Sequence, residues 1–174
     1  MRSPSENVLP DLDHVALLRR AIVLSQNARE KGNHPFGAIL VDRNGTIVLE
    51  AENTVTEDSD ETSHAELNLM SKASKQLSVR ERREMVMYAS TEPCAMCAAA
   101  AFWTGVRAVV YGLSAEGLYA FTTQGRENPA VLKLECREVF AAGGAHKTAV
   151  IGPLLEDEAS KPHIGFWSGL RGPS

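Results

Sequence analysis

Two short stretches, His64-Ala65-Glu66 and Pro93-Cys94-Ala95-Met96-Cys97, constrain this chain more than any other part of its sequence. Together they supply one imidazole and two thiols, a ligand set that suits zinc. Catalytic zinc sites use three protein ligands and leave the fourth position to water, whereas structural sites use four. His64, Cys94 and Cys97 make three, and Glu66 is left as a carboxylate that can transfer protons. The sequence therefore predicts one Zn²⁺ ion per chain, with Glu66 as the catalytic residue.

A structural zinc site with Cys136 as the fourth ligand is the alternative interpretation, because three cysteines and one histidine are also a known structural set. Three cysteines are an odd number, and the C-x-x-C spacing of two of them favours a metal over a disulfide. Cys136 lies in a stretch of helical periodicity, far along the chain from both motifs. A structural site would also leave Glu66 without a role, so we expect Cys136 to be a buried packing thiol.

Length and charge restrict the class of protein. A chain of 174 residues with 44% hydrophobic content fits one compact domain, preceded by a polar, flexible lead-in over residues 1–10. The net charge of −4 argues against a nucleic-acid partner. No secretory signal is visible, and the longest apolar run, Ala95 to Trp103, is too short to cross a bilayer. We therefore expect a cytoplasmic protein that makes no membrane contact.

Hydrophobic periodicity predicts alternating helices and strands. Helices are expected from a cap at residues 11–13 to Gly32, over 64–76, over 93–104 and over 129–142. Strands are expected over 38–41, 46–50, 85–90, 107–112 and 148–152, with 113–128 as a loop. This order predicts the α/β class, as a three-layer α/β/α sandwich around a central mixed five-stranded sheet.

The start of the second predicted helix is important for the chemistry. Thr62 or Ser63 is the expected N-cap. Residues two apart do not share a helix face, so His64 and Glu66 can serve one site only at the first turn. The positive end of the helix dipole would then point at that site.

The third predicted helix carries both thiols. Pro93 fits the first helical position, where its missing N–H does no harm. Cys94 and Cys97 are three residues apart and are therefore neighbours on one helix face, in the first turns.

These motifs resemble the cytidine deaminase-like superfamily, in the branch of bacterial guanine deaminases, fungal cytosine deaminase and tRNA adenosine deaminases. The resemblance runs from about Pro35 to Gly112 and rests on Pro35-Phe36-Gly37-Ala38, Asn53, His64-Ala65-Glu66 and Thr91-Glu92-Pro93-Cys94-Ala95-Met96-Cys97. It implies the cytidine deaminase-like fold, the same zinc ligands, and Glu66 as a proton shuttle. It also implies substrate contacts from the side chain of Asn53, the backbone N–H of Ala65, and the aromatic rings of Phe36 and Trp103.

The same resemblance gives the C-terminal segment a role. In guanine and cytosine deaminase-like members this segment covers the pocket. By analogy, residues 156–174 form a tail that closes the active site, with contributions from His163, Phe166 and Trp167, and 11–155 form the zinc deaminase domain. The family also implies a homodimer, in which the tail could reach the pocket of the partner.

The resulting functional hypothesis is a zinc-dependent hydrolytic deaminase of a small, free amino-heterocycle. Guanine, isocytosine, a cytosine analogue or an aminotriazine would release ammonia. The first alternative is a tRNA adenosine deaminase, but such enzymes usually finish with a basic helix. Here, the sequence from Glu156 onward contains three acidic residues and only two basic ones, Lys161 and Arg171. The second alternative, a non-catalytic zinc-stabilised scaffold, would have no use for Glu66.

Overall fold

A central five-stranded sheet organises the molecule. The computed structural model describes residues 11–123, 132–144 and 146–169, so the predicted lead-in over 1–10 lies outside the described residues. The spatial order of the strands is β2-β1-β3-β4-β5. The strands are β1 (Gly37–Val41), β2 (Ile47–Glu52), β3 (Val86–Thr91), β4 (Ala108–Leu113) and β5 (Ala149–Ile151). β1 is antiparallel to β2 and β3, whereas β3, β4 and β5 are parallel. The predicted mixed sheet is confirmed.

Helices cover both faces of the sheet. They are α1 (His14–Glu30), α2 (Val55–Asp58), α3 (Ala65–Gln76), α4 (Val79–Arg82), α5 (Ala95–Thr104), α6 (Ala115–Thr122), α7 (Cys136–Ala141) and α8 (Glu156–Ser160). Two 3₁₀ turns, Lys161–His163 and Trp167–Gly169, follow in the tail. None of these described helices combines the length and apolar character needed to span a bilayer.

The alternation of side chains along β1 explains the three layers. Ala38 and Leu40 are buried in a core that includes residues of α3, α5 and α7, and Ile39 and Val41 are buried in a second core with α1. Successive side chains of a strand point to opposite faces, so a strand that is apolar throughout needs cover on both sides. The α/β/α sandwich is therefore confirmed.

Gly37 allows α1 to lie directly on the start of β1. A Cβ atom at this position would come within 2.5 Å of both the carbonyl oxygen of Ala21 and the backbone nitrogen of Ser25. No side chain can occupy that space without moving the helix or the strand. The close contact fixes the backbone immediately after Phe36.

The region after β4 differs from the prediction. Residues 113–128 were expected to form a loop, but α6 lies within them, and the hydroxyl of Ser114 accepts a hydrogen bond from the backbone N–H of Gly117 as its N-cap. The helix predicted over 129–142 is also wrong in extent. Residues 132–135 are not helical, α7 begins only at Cys136, and 129–131 lie outside the described residues.

Candidate active site

Two helix N-termini meet beyond the end of β3. His64 is the N-cap of α3 and Cys94 is the N-cap of α5, and both have extended backbones. Neither side chain caps its own helix, so both are free to turn towards each other. The predicted caps Thr62 and Ser63 are therefore wrong.

Pro93 precedes the N-cap residue Cys94. The prediction that Pro93 is the first helical residue is therefore wrong. Cys94 accordingly lies just outside the helix, and Cys97 is its third residue. The Cys97 side chain is buried, whereas the Cys94 side chain is exposed. The C-x-x-C spacing thus joins one thiol before the helix to one in its first turn.

The three ligand atoms have the spacing that zinc requires. The Nδ1 atom of His64 lies 3.7 Å from the Sγ atom of Cys94 and 3.6 Å from that of Cys97. All three ligand atoms fall within 4.8 Å of one another. A tetrahedral zinc ion with ordinary Zn–S and Zn–N bonds separates a sulfur from a nitrogen by about 3.6 Å. The set fits Zn²⁺, and Cys136 is not part of it.

The three ligand side chains shift the pKa values of one another. Hydrogen bonds from Cys97 and His64 lower the pKa of the Cys94 thiol to about 4. The same Cys94 sulfur raises the pKa of Cys97 and of the His64 imidazole. Zinc binds thiolates and a neutral imidazole, so metal binding must release the protons that Cys97 and His64 retain.

Glu66 lies in the first turn of α3, next to the ligands. Its side chain is buried, at 5% exposure. Burial, together with the charge of Cys94, raises the pKa of the Glu66 carboxyl to about 7, although His64 acts in the opposite direction. A carboxyl group of this kind can both accept and donate a proton near neutral pH.

Asn53 provides a buried amide donor. Its Oδ1 atom accepts a hydrogen bond of 3.1 Å from the backbone N–H of Val55, which fixes the orientation of the amide because an NH₂ group cannot accept. The Nδ2 atom is buried and makes no hydrogen bond to any described residue. The backbone N–H of Asn53 donates to the carbonyl oxygen of Phe36, which places the two residues side by side.

Ala65 is the first residue of α3, so its backbone N–H has no acceptor within the helix. The residue is fully buried beside His64. Its N–H group and the amide of Asn53 are therefore both donors, and both belong to segments that adjoin the metal ligands. A bound molecule that presents acceptor atoms would suit them.

Aromatic rings connect the metal ligands to the tail. Phe36 stacks on His64, with ring centroids 6.4 Å apart and planes 17° apart. Trp167 lies 6.1 Å from Phe36, and Phe166 lies 5.0 Å from Trp167. The structure therefore brings Phe36, Phe166 and Trp167 together.

Trp103 is not brought to this site. It is 82% exposed and lies near the C-terminal end of α5. Trp103 is nine positions after Cys94, which corresponds to about 13 Å along the helix axis. In the single chain Trp103 therefore lies at the opposite end of α5 from the two thiols, and its contact with the substrate stays a prediction.

Two residues near the site were not identified from the sequence. Phe121 lies 6.1 Å from the ring of His163, and its region had been predicted as a loop. The carboxylate of Glu92 accepts hydrogen bonds from the backbone N–H groups of Ala115 and Cys136, and so ties α6 and α7 to the turn before Cys94. The only sequence signal for Glu92 was its position between Thr91 and Pro93.

Comparisons with known proteins agree with this geometry. Residues 12–113 match the family model of the cytidine and deoxycytidylate deaminase zinc-binding region. A probable cytosine deaminase of Schizosaccharomyces pombe is 44% identical over 157 residues, which cover 90% of this chain and 94% of that protein. A tRNA-specific adenosine deaminase of Bacillus subtilis is 31% identical over 154 residues, 88% of each chain. The solved structure of a guanine deaminase from Nitrosomonas europaea has the same fold, with a TM-score of 0.73 at 20% identity over 97% of this chain and 98% of that one.

Proposed function

The chain belongs to the cytidine and deoxycytidylate deaminase zinc-binding family, and we propose from this premise that it is a zinc-dependent hydrolase that deaminates a free nucleobase or a similar amino-heterocycle. The observation that carries the proposal is the buried Glu66 beside three metal ligands, His64, Cys94 and Cys97, which is the number of protein ligands in a catalytic zinc site. Guanine, isocytosine, cytosine analogues and aminotriazines all carry the required amino group on a ring carbon next to a ring nitrogen.

Glu66 moves the protons in the reaction that we propose. Zinc, when bound, supplies the Lewis acidity that makes water a nucleophile near neutral pH. Glu66 accepts a proton from the attacking water and delivers it to the ring nitrogen beside the amino-bearing carbon. It then passes the second proton of the water to the amine. A C–O bond forms, the C–N bond breaks, and ammonia leaves while a carbonyl remains on the ring.

Asn53, Ala65, Phe36, Phe166 and Trp167 are the residues that we propose for substrate binding. The unpaired Nδ2 donor of Asn53 and the backbone N–H of Ala65 would bind a carbonyl oxygen or ring nitrogen of the base. The aromatic rings would cover the faces of a planar heterocycle. A buried donor left unsatisfied by folding favours a substrate that presents an acceptor at this position.

The tail supports a free base over tRNA. Its acids are engaged on the protein surface: Glu158 accepts two hydrogen bonds from Arg19, and Glu156 accepts from Ser114. With a net charge of −4, the chain has little to attract a phosphate backbone. The tRNA-specific relative nevertheless makes tRNA the second candidate.

A substrate screen tests this proposal. Ammonia release is measured with guanine, cytosine, isocytosine and aminotriazines, with the nucleosides of the two natural bases, and with tRNA. We expect turnover of at least one free base, and no salt-sensitive gel shift with tRNA at two salt concentrations. Ammonia release from tRNA alone would replace the proposal by the second candidate, and no release from any compound would refute it.

We infer that the tail from residue 156 is a lid over the pocket of the zinc domain 11–155. The Nη1 atom of Arg29 donates a hydrogen bond of 2.8 Å to the carbonyl oxygen of Pro162. Ala159 is fully buried against Gly112, where a Cβ atom would come within 2.8 Å of the Ala159 methyl group. These contacts support a lid that is anchored at its base.

We also propose a homodimer formed through the outer face of α5. This face is lined by small or apolar side chains that are not fully buried, namely Met96, Ala99 and Trp103. A helix that is apolar on all sides is normally buried, yet Trp103 is 82% exposed in the single chain. A second copy of the same face would cover it.

We also propose a cytoplasmic location, because the adjacent thiols of Cys94 and Cys97 must stay reduced to bind metal.

Replacing Trp103 with Glu should separate the dimer, because the new charge would have to be buried in the interface. Size-exclusion chromatography with light scattering should give about twice the chain mass for the wild type and the single-chain mass for the variant. Val23→Glu is the matched control, since Val23 is 47% exposed on α1, across the sheet from α5, and should remain dimeric. A dimeric Trp103→Glu protein would exclude this face.

A further inference from the structure

His163 is a fully buried imidazole in the tail, and the proposed chemistry does not use it. Both of its ring nitrogens lie near a polar partner. The Nε1 atom of Trp167 is 3.2 Å from Nδ1, and the Oγ1 atom of Thr91 is 3.4 Å from Nε2. A buried histidine with both nitrogens partnered has a fixed ring orientation.

The partners also fix the tautomer of His163. An indole N–H can only donate, so Nδ1 of His163 must be the unprotonated acceptor. The single proton of the neutral ring is then on Nε2, which donates to Thr91. Burial, with a smaller contribution from the charge of Arg29, lowers the pKa of His163 to about 4, so the ring is neutral at neutral pH.

This arrangement joins the lid to the segment that carries a metal ligand. Thr91 is the last residue of β3 and lies three residues before Cys94. On the other side, Trp167 lies 5.2 Å from the ring of His34 and 6.1 Å from that of Phe36, which stacks on a metal ligand. Among these ring contacts, the hydrogen bond to Nδ1 of His163 is the one directional contact of the Trp167 indole N–H with a described residue.

We propose that His163 is a positioning residue, which holds the indole of Trp167 as one wall of the base pocket by accepting its N–H and donating to Thr91. The inference rests on the proposed function and deepens it. A wall that contacts the base equally before and during the reaction contributes uniform binding. Its loss should raise KM and leave kcat almost unchanged.

Four variants test the kinetic part: His163→Leu, His163→Gln, Trp167→Phe and the double variant His163→Leu/Trp167→Phe. KM is measured for the compound of the substrate screen (guanine, cytosine, isocytosine or an aminotriazine) that the wild type deaminates fastest. His163→Leu should raise KM about tenfold with kcat within about twofold. His163→Gln, which keeps an acceptor and a donor, should stay close to the wild type. Adding His163→Leu to Trp167→Phe should have little further effect, because the two residues act as one unit.

A second readout needs no turnover. The chain has two tryptophans, so Trp103→Phe leaves Trp167 as the single emitter. In this zinc-loaded background, His163→Leu should shift the Trp167 emission to longer wavelength and increase acrylamide quenching, whereas His163→Gln should change neither. If His163→Leu fails to fold, Thr91→Val removes only the Nε2 partner and should shift the emission in the same direction by less.

The outcomes separate the two proposals. If the wild type released no ammonia but the Trp167 emission changed as expected, the proposed function would be refuted and the positioning role of His163 would stand. The positioning role would be overturned if His163→Leu raised KM by the same factor in the wild type and in Trp167→Phe. Unchanged Trp167 emission in both His163→Leu and Thr91→Val would also overturn it.

Discussion

Replacing Glu66 with glutamine is expected to lower kcat by about 10³- to 10⁴-fold while one zinc ion per chain remains bound. Glutamine keeps the shape of the buried side chain, but it cannot accept or deliver a proton. The loss should lie at the upper end of the range for general acid–base catalysis, because Glu66 is proposed to act in two successive transfers. Ammonia release gives kcat, and elemental analysis gives the zinc content.

Glu61→Gln is the matched control for this experiment. Glu61 is exposed in the segment that precedes α3, three residues before His64. The same change of charge there should leave both turnover and zinc content at the wild-type level. If Glu66→Gln retained most of its kcat, another group would have to carry the protons.

The second large effect is expected for Cys97→Ser. A serine hydroxyl is a poor substitute for a thiolate, so the chain should lose its zinc and all turnover. Metal binding is coupled to folding, and Cys97 is buried in the first turn of α5. We expect the free energy of unfolding to fall by about 3 kcal/mol or more, which is roughly 10 °C in Tm for a chain of this size. Zinc content and thermal unfolding measure the two effects.

Cys136→Ser distinguishes a ligand from a packing thiol. Cys136 is also fully buried, but it is not among the residues that can hold the metal. We expect a loss of about 1 kcal/mol from burial of the serine hydroxyl, with zinc and activity retained. Loss of zinc from Cys136→Ser, or full zinc content in Cys97→Ser, would contradict the assignment of three ligands.

The sheet could be predicted because its strands are apolar throughout and are separated by clear turns. The Asp42-Arg43-Asn44-Gly45 turn fixed the β1–β2 hairpin, and the two buried runs after it gave β3 and β4. Residues with strong intrinsic preferences for buried strands leave few alternatives. The helix α6 escaped prediction because Gly117 weakens its local preference, while its N-cap and contacts with distant residues stabilise it.

The metal ligands could be predicted from spacing and donor chemistry, and the structure confirms that His64, Cys94 and Cys97 converge. The helix boundaries around them could not. Capping preferences favour Thr62 or Ser63, but the separation of ligand atoms that zinc requires places the helix start at His64. Likewise, no local pattern shows that Trp103, in the last turn of α5, is 82% exposed in the single chain.

The use of His64 and Cys94 as N-caps has a further consequence. At both positions a serine, aspartate or asparagine would stabilise the isolated helix by about 1 kcal/mol, and neither ligand side chain makes such a bond. The chain has therefore given up local helix stability at the two points where a zinc ion would join segments that are thirty residues apart in sequence. The stability of each helix start therefore depends on the other, because one zinc ion would bind both.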